Sequence, residues 1–293
     1  ILFAIFVYTA SGIHLGTDTA KFTIHGWWKY SHEDLLPQGA CAAGCPTPDH
    51  PMGQLPNGRD YFALVTRGSE ISLMVMIVIG FLGGTLGTII GAVAGFFGGI
   101  IDAVLMRFTD FIITVPSILI GAVIGYNVGN LGVFALAVFL GLFAWTGLAR
   151  LVRGEFLSLR EREFVDAARV AGASNRRIIF KHILPNAVGV IIVSTTLLLS
   201  GAILLETGLS FIGFGVQAPD VSLGSMISEY QGEFALSPWL FWWPGVCIVS
   251  IALSINFIGD GLRDAFDPRQ KRQIRRKDFM AKTGTREQVN KRR

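Results

Sequence analysis

Long apolar stretches separated by short polar segments make up most of the chain beyond residue 70. A helix needs about 20 mostly apolar residues to cross about 30 Å of hydrocarbon. Five stretches meet or approach that length: 71–97, 109–127, 131–149, 187–210 and 239–259. A further apolar run, residues 1–13, is too short to cross alone. Because the chain begins at Ile1 rather than at methionine, we expect this run to be part of a first membrane helix, which makes about six spans.

A charged segment, residues 163–186, lies between two of the apolar stretches. Residues 161–171 have the composition of a helix. Three apolar residues recur at the spacing of one helix face: Phe164, Ala168 and Ala171. Gly172 follows them, and glycine readily adopts the left-handed conformation that closes a helix. We therefore predict an amphipathic helix that ends at Gly172.

A second short helix is predicted after this turn. Ser174 is placed to cap its first amides, and residues 176–184 complete it. Pro185 lacks an amide proton, but it is acceptable in the first turn of the long apolar helix that follows. Small residues at Ala167, Ala168 and Gly172 would let another surface approach closely.

The composition agrees with a membrane protein. Hydrophobic residues make up 51% of the 293 residues, charged residues make up 16%, and the mean hydropathy is +0.52. These values exclude an ordinary soluble globule. Small residues recur at four-residue separations along residues 80–99, and such spacing lets helix backbones approach closely in lipid. We predict that this helix faces protein.

Basic residues are distributed unequally between the two sides of the predicted topology. All but four of the 25 Lys and Arg residues fall on the side that holds the 163–186 segment and the C-terminal tail. The four exceptions are Lys21, Lys29, Arg59 and Arg67. Since Lys and Arg are retained on the cytoplasmic side, both termini are predicted to be cytoplasmic. The basic tail favours contact with anionic lipid headgroups or solvent over nucleic acid.

The 163–186 segment resembles the "EAA" motif of membrane subunits of bacterial ATP-binding-cassette importers. The resemblance rests on an acidic-Ala-Ala triplet, a correctly spaced glycine and a Leu-Pro pair. It assigns contact with an ATPase to six residues: Asp166, Ala167, Ala168, Gly172, Leu184 and Pro185. Aspartate stands at 166 where glutamate is usual, and His182 stands where many families have isoleucine.

The ending His-Ile-Leu-Pro-Asn resembles the dipeptide, oligopeptide and nickel permease branch. Further similarity in residues 101–119, 204–215 and 256–268 extends the match over nearly everything from His50 to Arg269. Five residues match the outer-loop pattern of the branch: His50, Gly53, Gly58, Arg59 and Asp60. Gln54 and Leu55 replace its Thr-Asp. Two alternatives stay open for Arg59 and Asp60, a direct functional contact or attachment of the loop near the headgroups.

Cysteine usage fits an outer loop. Three residues separate Cys41 from Cys45 on the side predicted to be oxidising, so a local disulfide is expected. Three histidines precede or follow them, and imidazole with thiolate can bind zinc or nickel: His25, His32 and His50. The spacing matches no standard structural zinc site, and we predict no metal. Cys247 lies in the last apolar run and is expected to be a small packing residue.

Three carboxylates sit within or beside apolar runs, where a charge must be paired, hydrated or functional. Glu206 is a candidate pathway residue for a cationic cargo, and the alternative is a structural hydrogen-bonding role. Asp110 and Asp260 are expected to fix helix ends or pair with arginines. A rival class is an intramembrane enzyme with Ser210 as nucleophile or with this Asp pair. All five histidines lie outside the predicted spans, which argues against a serine–histidine site.

The predicted fold class is an all-α membrane protein, with about six transmembrane helices of type I importer permease architecture and a cytoplasmic coupling loop. The chain has no phosphate loop. The resemblance therefore implies that ATP and Mg²⁺ bind on two partner ATPases, alongside a homologous permease and an extracytoplasmic substrate-binding protein. The expected function is a non-enzymatic peptide importer subunit of the bacterial inner membrane. Nickel, opine or haem are the alternative cargoes, and a channel or secondary transporter is a third class.

The expected domain order follows the same topology. Residues 1–13 are a partial first helix, 14–70 an extracytoplasmic loop with a small folded element, and 71–260 the transmembrane core. The core includes the coupling loop 150–185. Residues 261–293 are a basic cytoplasmic tail.

Overall fold

A computed structural model describes residues 2–15, 22–25, 27–37, 44–128 and 131–266. It begins with a short helix, α1 (Leu2–Ser11), and an antiparallel hairpin of β1 (Gly12–Leu15) and β2 (Phe22–His25), in which Gly12 pairs with His25. The hairpin lies at the start of the predicted outer loop. It is a small departure from an all-α architecture, since all other elements of the described chain are helical.

The helices that follow form the body of the molecule. They are α2 (Tyr61–Phe97), α3 (Gly99–Thr114), α4 (Ser117–Val128), α5 (Val133–Gly141), α6 (Thr146–Arg160), α7 (Glu163–Val170), α8 (Asn175–Arg177), a π-helix (Ile178–Ile183), α9 (Leu184–Phe211), α10 (Leu223–Tyr230), a 3₁₀ turn (Gln231–Glu233) and α11 (Pro238–Phe266). Four helical stretches are long and apolar enough to cross a bilayer, or five if a bent pair is one span. With ten residues, α1 is shorter than a crossing.

Several helix ends differ from the predicted segment boundaries. The outer loop ends at Asp60 rather than at residue 70, because the Asp60 side chain accepts a hydrogen bond from Ala63 N and caps α2 there. The predicted span 131–149 instead covers Val133–Arg160, with a turn between α5 and α6. At the other end of the core, α11 continues to Phe266. Beyond it, the tail lies outside the described residues.

The predicted single span 109–127 is broken at Pro116. The two pieces, α3 and α4, meet at an angle of 77°. Val115, just before the proline, has an extended backbone with φ −86° and ψ 125°. A proline disfavours helical conformation in the residue before it and cannot donate a backbone hydrogen bond, so the helix ends here.

The glycine-rich helix α2 packs closely against α6, which confirms that it faces protein. Gly87, Gly91 and Gly95 are buried at successive four-residue steps. A Cβ added at Gly91 would lie 2.5 Å from the carbonyl oxygen of Ala149, so only glycine permits this separation of the two helices. The main apolar core lies between α2, α5, α9, α10 and α11, and a second apolar cluster joins α2 and α6 to the 163–186 segment.

Candidate functional site

The turn between the two short helices has the predicted geometry. α7 ends at Val170, and Gly172 adopts a φ of +78°, in the left-handed region. Its amide donates to Arg169 O at 2.9 Å. Ser174 Oγ accepts a hydrogen bond from Arg177 N at 3.5 Å, which confirms the predicted cap. The sequence therefore specifies this turn locally.

The prediction of a separate second helix over 176–184 was wrong. After Asn175 the chain is helical without a break through the π-helix into α9, and Asn175–Phe211 is one 37-residue helical stretch. In the π-helix, Leu184 N donates to Ile179 O, five residues earlier. Pro185 stands in the first turn of α9, as predicted, but it does not mark a helix boundary. The wider π-turn directly precedes the residue that has no N–H to donate.

One side of the segment is buried in the second apolar cluster. Val165, Ile178 and Ile183 have no exposed surface, and they pack with Phe96 of α2 and Phe156 of α6. Their burial fixes the segment to the two helices below it. Five buried large side chains give a base that is close-packed rather than flexibly tethered.

The buried side of α7 does not coincide with the apolar face that the spacing identified. Val165 is the fully buried position, and Ala168 is partly buried beside it. Phe164 is 39% exposed and Ala171 is exposed. The periodicity identified an apolar helix, but α7 has apolar residues on two sides, and hydrophobicity alone does not decide which side faces the protein.

The second side of α7 forms an exposed apolar surface. Its members are Phe164, Ala167, Val170 and Ala171, which share one side of the helix by their spacing; we call them the α7 surface. Val170 is 91% exposed. Phe180, on the next helix, is 63% exposed. Four basic residues of the same segment are also exposed: Arg169, Arg176, Arg177 and Lys181. An apolar patch with a charged rim is typical of a protein contact.

The six residues assigned to coupling divide between these two sides. Asp166, Ala167, Gly172 and Pro185 are exposed, and Asp166 pairs with Arg169 at 3.2 Å. The other two, Ala168 and Leu184, pack against the buried cluster. The structure therefore places four of the six where a partner could touch them, while two attach the segment to its base.

Arginines of α6 connect this base to the helices before it. Arg153 binds Asp102 with two hydrogen bonds, of which Nη2 to Oδ2 is 2.6 Å, and Arg150 pairs with Asp110. Arg160 donates to Phe96 O at 3.2 Å. The prediction that Asp110 pairs with a neighbouring arginine is confirmed. The Asp102 pair was missed, because 51 residues separate its partners.

Glu206 is fully buried near the C-terminal end of α9. Its Oε1 accepts from Ser210 Oγ at 2.7 Å, and its Oε2 accepts from Ser72 Oγ of α2 at 3.1 Å. Ser72 Oγ in turn accepts from Leu223 N at the start of α10. This network joins three helices. The carboxylate is fully buried in this chain, and both its oxygens accept hydrogen bonds. This arrangement agrees with a structural role, which was the alternative to a pathway role.

Ser210, the nucleophile considered for an intramembrane enzyme, belongs to the same network. The residue is 4% exposed, and its hydroxyl donates a hydrogen bond to Glu206. Its oxygen accepts from Val216 N at 3.1 Å and from Ser222 Oγ at 3.2 Å. The partners that the described structure gives this hydroxyl therefore occupy its donor and both its acceptor positions.

The outer-loop motif is organised around Asp60, which is fully buried. His50 Nδ1 lies 2.7 Å from Asp60 Oδ1, and Trp28 Nε1 donates to Asp60 Oδ2 at 2.8 Å. Tyr30 stacks on His50 with 4.8 Å between ring centroids. Arg59 is half-buried, and its Nε has no hydrogen-bond partner among the described residues. Asp60 therefore holds the loop on α2, whereas both alternatives stay open for Arg59.

Two other features of the loop are an exposed ion pair and a disulfide-bonded cysteine. Lys29 Nζ donates to Asp49 at 2.6 Å, and this bond raises the pKa of Lys29 and lowers that of Asp49. Cys45 is disulfide-bonded, while Cys41 lies outside the described residues, so their pairing stays a prediction. His50 is engaged by Asp60. Cys247 is buried with a free thiol, as expected of a packing residue.

The described chain is a body of long apolar helices onto which the 163–186 segment is packed. The chain belongs to the family of binding-protein-dependent transport system inner membrane components, whose family model matches residues 87–272. Membership makes it a multi-span component of the inner membrane. It also confirms the family that the sequence motifs indicated.

Oligopeptide transport permeases of other bacteria are similar to this chain over most of its length. The oligopeptide transport system permease protein OppC of Haemophilus influenzae is 39% identical over 254 residues, 85% of this chain and 80% of the relative. The OppC protein of Mycobacterium tuberculosis is 40% identical over 248 residues, 84% of each.

Among solved structures, the fold is similar to an inward-facing conformation of the MetNI methionine ABC transporter. The TM-score is 0.61 at 22% identity, covering 70% of this chain and 97% of that one. A likeness at this identity concerns the fold alone, and it confirms the importer permease architecture.

Proposed function

We propose that this chain is a permease subunit of an ATP-driven peptide importer and that its 163–186 segment transmits the action of a cytoplasmic ATPase. Membership of the transport family supports the permease role. Similarity to two oligopeptide transport permeases supports peptide as the cargo. Nickel, opine and haem are the cargoes that a transport assay must distinguish from peptide.

The observation that carries the coupling role is the exposed α7 surface on a fixed base. Val170 exposes 91% of its surface in a segment whose opposite side, at Val165, is fully buried. An apolar helix side of this kind fits a groove on a partner, where the apolar contacts supply affinity and the surrounding arginines supply orientation. Asp166, Ala167 and Gly172 lie on or beside the contact, and Leu184 and Pro185 connect it to α9.

Partners complete the transporter in this proposal. A homologous permease supplies the second half of the pathway, two ATPases bind ATP and Mg²⁺, and an extracytoplasmic binding protein delivers cargo. The chain itself has no catalytic role, and both its termini are cytoplasmic. The unequal distribution of basic residues supports this orientation, because the 163–186 segment then faces the ATPases.

Transport then follows from a conformational preference of the ATPases. ATP-bound ATPases must favour one arrangement of the permease over another, and the free energy of that preference must act through their contact with it. Because Val165, Ile178 and Ile183 are packed against α2 and α6, movement of the segment carries these helices with it. The pathway thereby alternates between its two openings.

A charge placed on the α7 surface tests the proposal. Val170→Asp should prevent the ATPases from copurifying with the chain and should abolish ATP-dependent uptake, since a buried unpaired carboxylate opposes docking. Ser158→Asp is the matched control, because Ser158 is exposed on α6 outside this surface. Normal copurification of the Val170 variant would contradict the coupling role. Competition of trialanine with Ni²⁺ for uptake separates peptide from metal cargo.

A further inference from the structure

Helix α3 is held to the rest of the chain mainly by polar contacts. Thr109 is its one buried residue. Its apolar side chains point outward, with Ile100 83% exposed, Val104 62% exposed and Phe111 72% exposed. Phe108 stacks on Trp145 at 6.1 Å between centroids. Apolar packing within this chain therefore gives α3 little support.

Two ion pairs join α3 to α6. The Asp102–Arg153 pair is bidentate and partly buried, with exposed side-chain fractions of 15% and 34%. The Asp110–Arg150 pair lies on the same two helices and is about half exposed. Paired guanidinium and carboxylate groups fix both distance and orientation, and the bidentate Asp102–Arg153 pair is the less exposed of the two.

The helix at the other end of these pairs is the one that continues toward the α7 surface. α6 ends at Arg160, three residues before α7 begins, and Phe156 of α6 packs on Val165 of α7 in the same apolar cluster. A displacement of α7 therefore displaces α6. The ion pairs determine whether α3 follows.

A groove of about 270 Å³ lies where α3 continues into α4. Val115 and Pro116 line it from the α3–α4 bend, and Phe143 and Ala144 line it from the α5–α6 turn. Each of these two walls is therefore formed at a break between helices. One break follows α3, and the other precedes α6. The width of the groove depends on how these two helices stand relative to each other.

We propose that Asp102, Arg153, Asp110 and Arg150 are positioning residues that make α3, and with it one wall of this groove, move together with α6 during transport. This inference rests on the proposed function, because it assumes that the ATPases move α7. It assigns to the two ion pairs a role in coupling rather than in cargo contact. Without them, α6 would move and α3 would remain behind.

Charge reversal tests the stronger pair. The chain is expressed with its partner subunits, the complex is reconstituted in lipid vesicles, and trialanine uptake is measured per ATP hydrolysed. Arg153→Asp and Asp102→Arg should each lower this ratio by about tenfold or more, within the usual range of coupling effects. Combining both substitutions restores an opposite-charge pair and should recover most of the ratio. A mere loss of stability would lower uptake and ATP hydrolysis together and would leave their ratio unchanged.

Arg107→Asp is the matched control. Arg107 is an exposed residue of α3 that has no ion-pair partner in the part of the chain that the structure describes. Its reversal changes the net charge of the chain by the same amount and sign as Arg153→Asp, and it should leave the ratio unchanged. Single variants at 102 and 153 with the wild-type ratio, or a double variant as impaired as either single one, would overturn the proposal.

A distance measurement tests the link without any cargo. Nitroxide labels on Val104→Cys of α3 and Leu151→Cys of α6, both exposed, should keep one separation with and without ATP. In Arg153→Asp that separation should change on ATP binding, and an unchanged separation would count against the link. If the reversed variants do not assemble, Arg153→Lys against Arg153→Gln replaces them, and equal ratios in these two would overturn the proposal. A wild-type complex that hydrolyses ATP without trialanine uptake contradicts the peptide cargo alone.

Discussion

The Nδ1 atom of His50 lies 2.7 Å from Oδ1 of Asp60, and both side chains are buried at the point where the outer loop becomes the first long helix. The same carboxylate caps α2 and binds Trp28. One acidic side chain therefore ties a distant part of the loop to the start of the membrane core. The motif that contains it is primarily a structural joint.

Removing this carboxylate should destabilise the fold. Asp60→Ala deletes the helix cap and leaves the His50 and Trp28 donors without their partner, at a cost of about 3 kcal/mol from the lost cap and the unpaired donors. Asp49→Ala, which breaks the exposed pair with Lys29, should have no measurable effect. Thermal unfolding of the purified chain in detergent measures both. Equal midpoints for the two variants would contradict the structural role of Asp60.

Substitution of Gly172 should impair coupling through the backbone. No atom lies within 4 Å of a Cβ added there, so space is not limiting, but the φ of +78° is unfavourable for L residues by about 1–2 kcal/mol. Gly172→Val should uncouple ATP hydrolysis from uptake while the chain still reaches the membrane. Asparagine tolerates this conformation, so Gly172→Asn should retain more uptake. Wild-type uptake in the valine variant would refute the need for this turn.

A methyl group on the α2 stripe should disturb helix packing. In Gly91→Ala the new Cβ would lie 2.5 Å from Ala149 O, so the helices must separate, and overpacking of this kind costs about 1–3 kcal/mol. Gly201→Ala makes the same change on α9, where nothing lies within 4 Å. Size-exclusion chromatography after graded heating should show earlier loss of the Gly91 variant only. Similar losses in both would indicate that the stripe is not a close contact.

Glu206 should behave as a structural acceptor. Glu206→Ala leaves the Ser72 and Ser210 hydroxyls without their buried partner, which costs about 1–3 kcal/mol for each unsatisfied group. Glu206→Gln keeps one acceptor oxygen and should lose less stability. The yield of folded chain in the membrane measures the difference. A folded, stable alanine variant with altered cargo preference would instead support the pathway role.

Local sequence signals located the turn at Gly172 and the cap at Ser174, because glycine conformation and side-chain capping depend on neighbouring residues alone. Pairing of Asp110 with some arginine was one of the two roles expected for it, from the cost of leaving a carboxylate unpaired in lipid, but Arg150 was not identified as the partner. Pro116 carried the signal for the break that was missed, since an apolar run masked it. Length and hydropathy describe a span but not its bends.

Relationships between distant residues could not be read from the sequence. Asp60 binds Trp28, which lies 32 residues away in the sequence, and Glu206 binds Ser72, which lies 134 residues away. The choice between the two apolar sides of α7 likewise depends on which side α6 packs against. These features arise from packing between distant parts of the chain. A single sequence gives the residues but does not show which of them pack together.

The unbroken helix from Asn175 to Phe211 has a mechanical consequence. At about 1.5 Å per residue it is roughly 55 Å long, nearly twice the roughly 30 Å of hydrocarbon that it crosses. A helix break at Pro185 would have let the two parts of the helix move independently. Because the helix runs past Pro185 without ending, a tilt beside Phe180 would also move its far end, near Glu206. Under the proposed function, this one helix would link the two openings of the pathway.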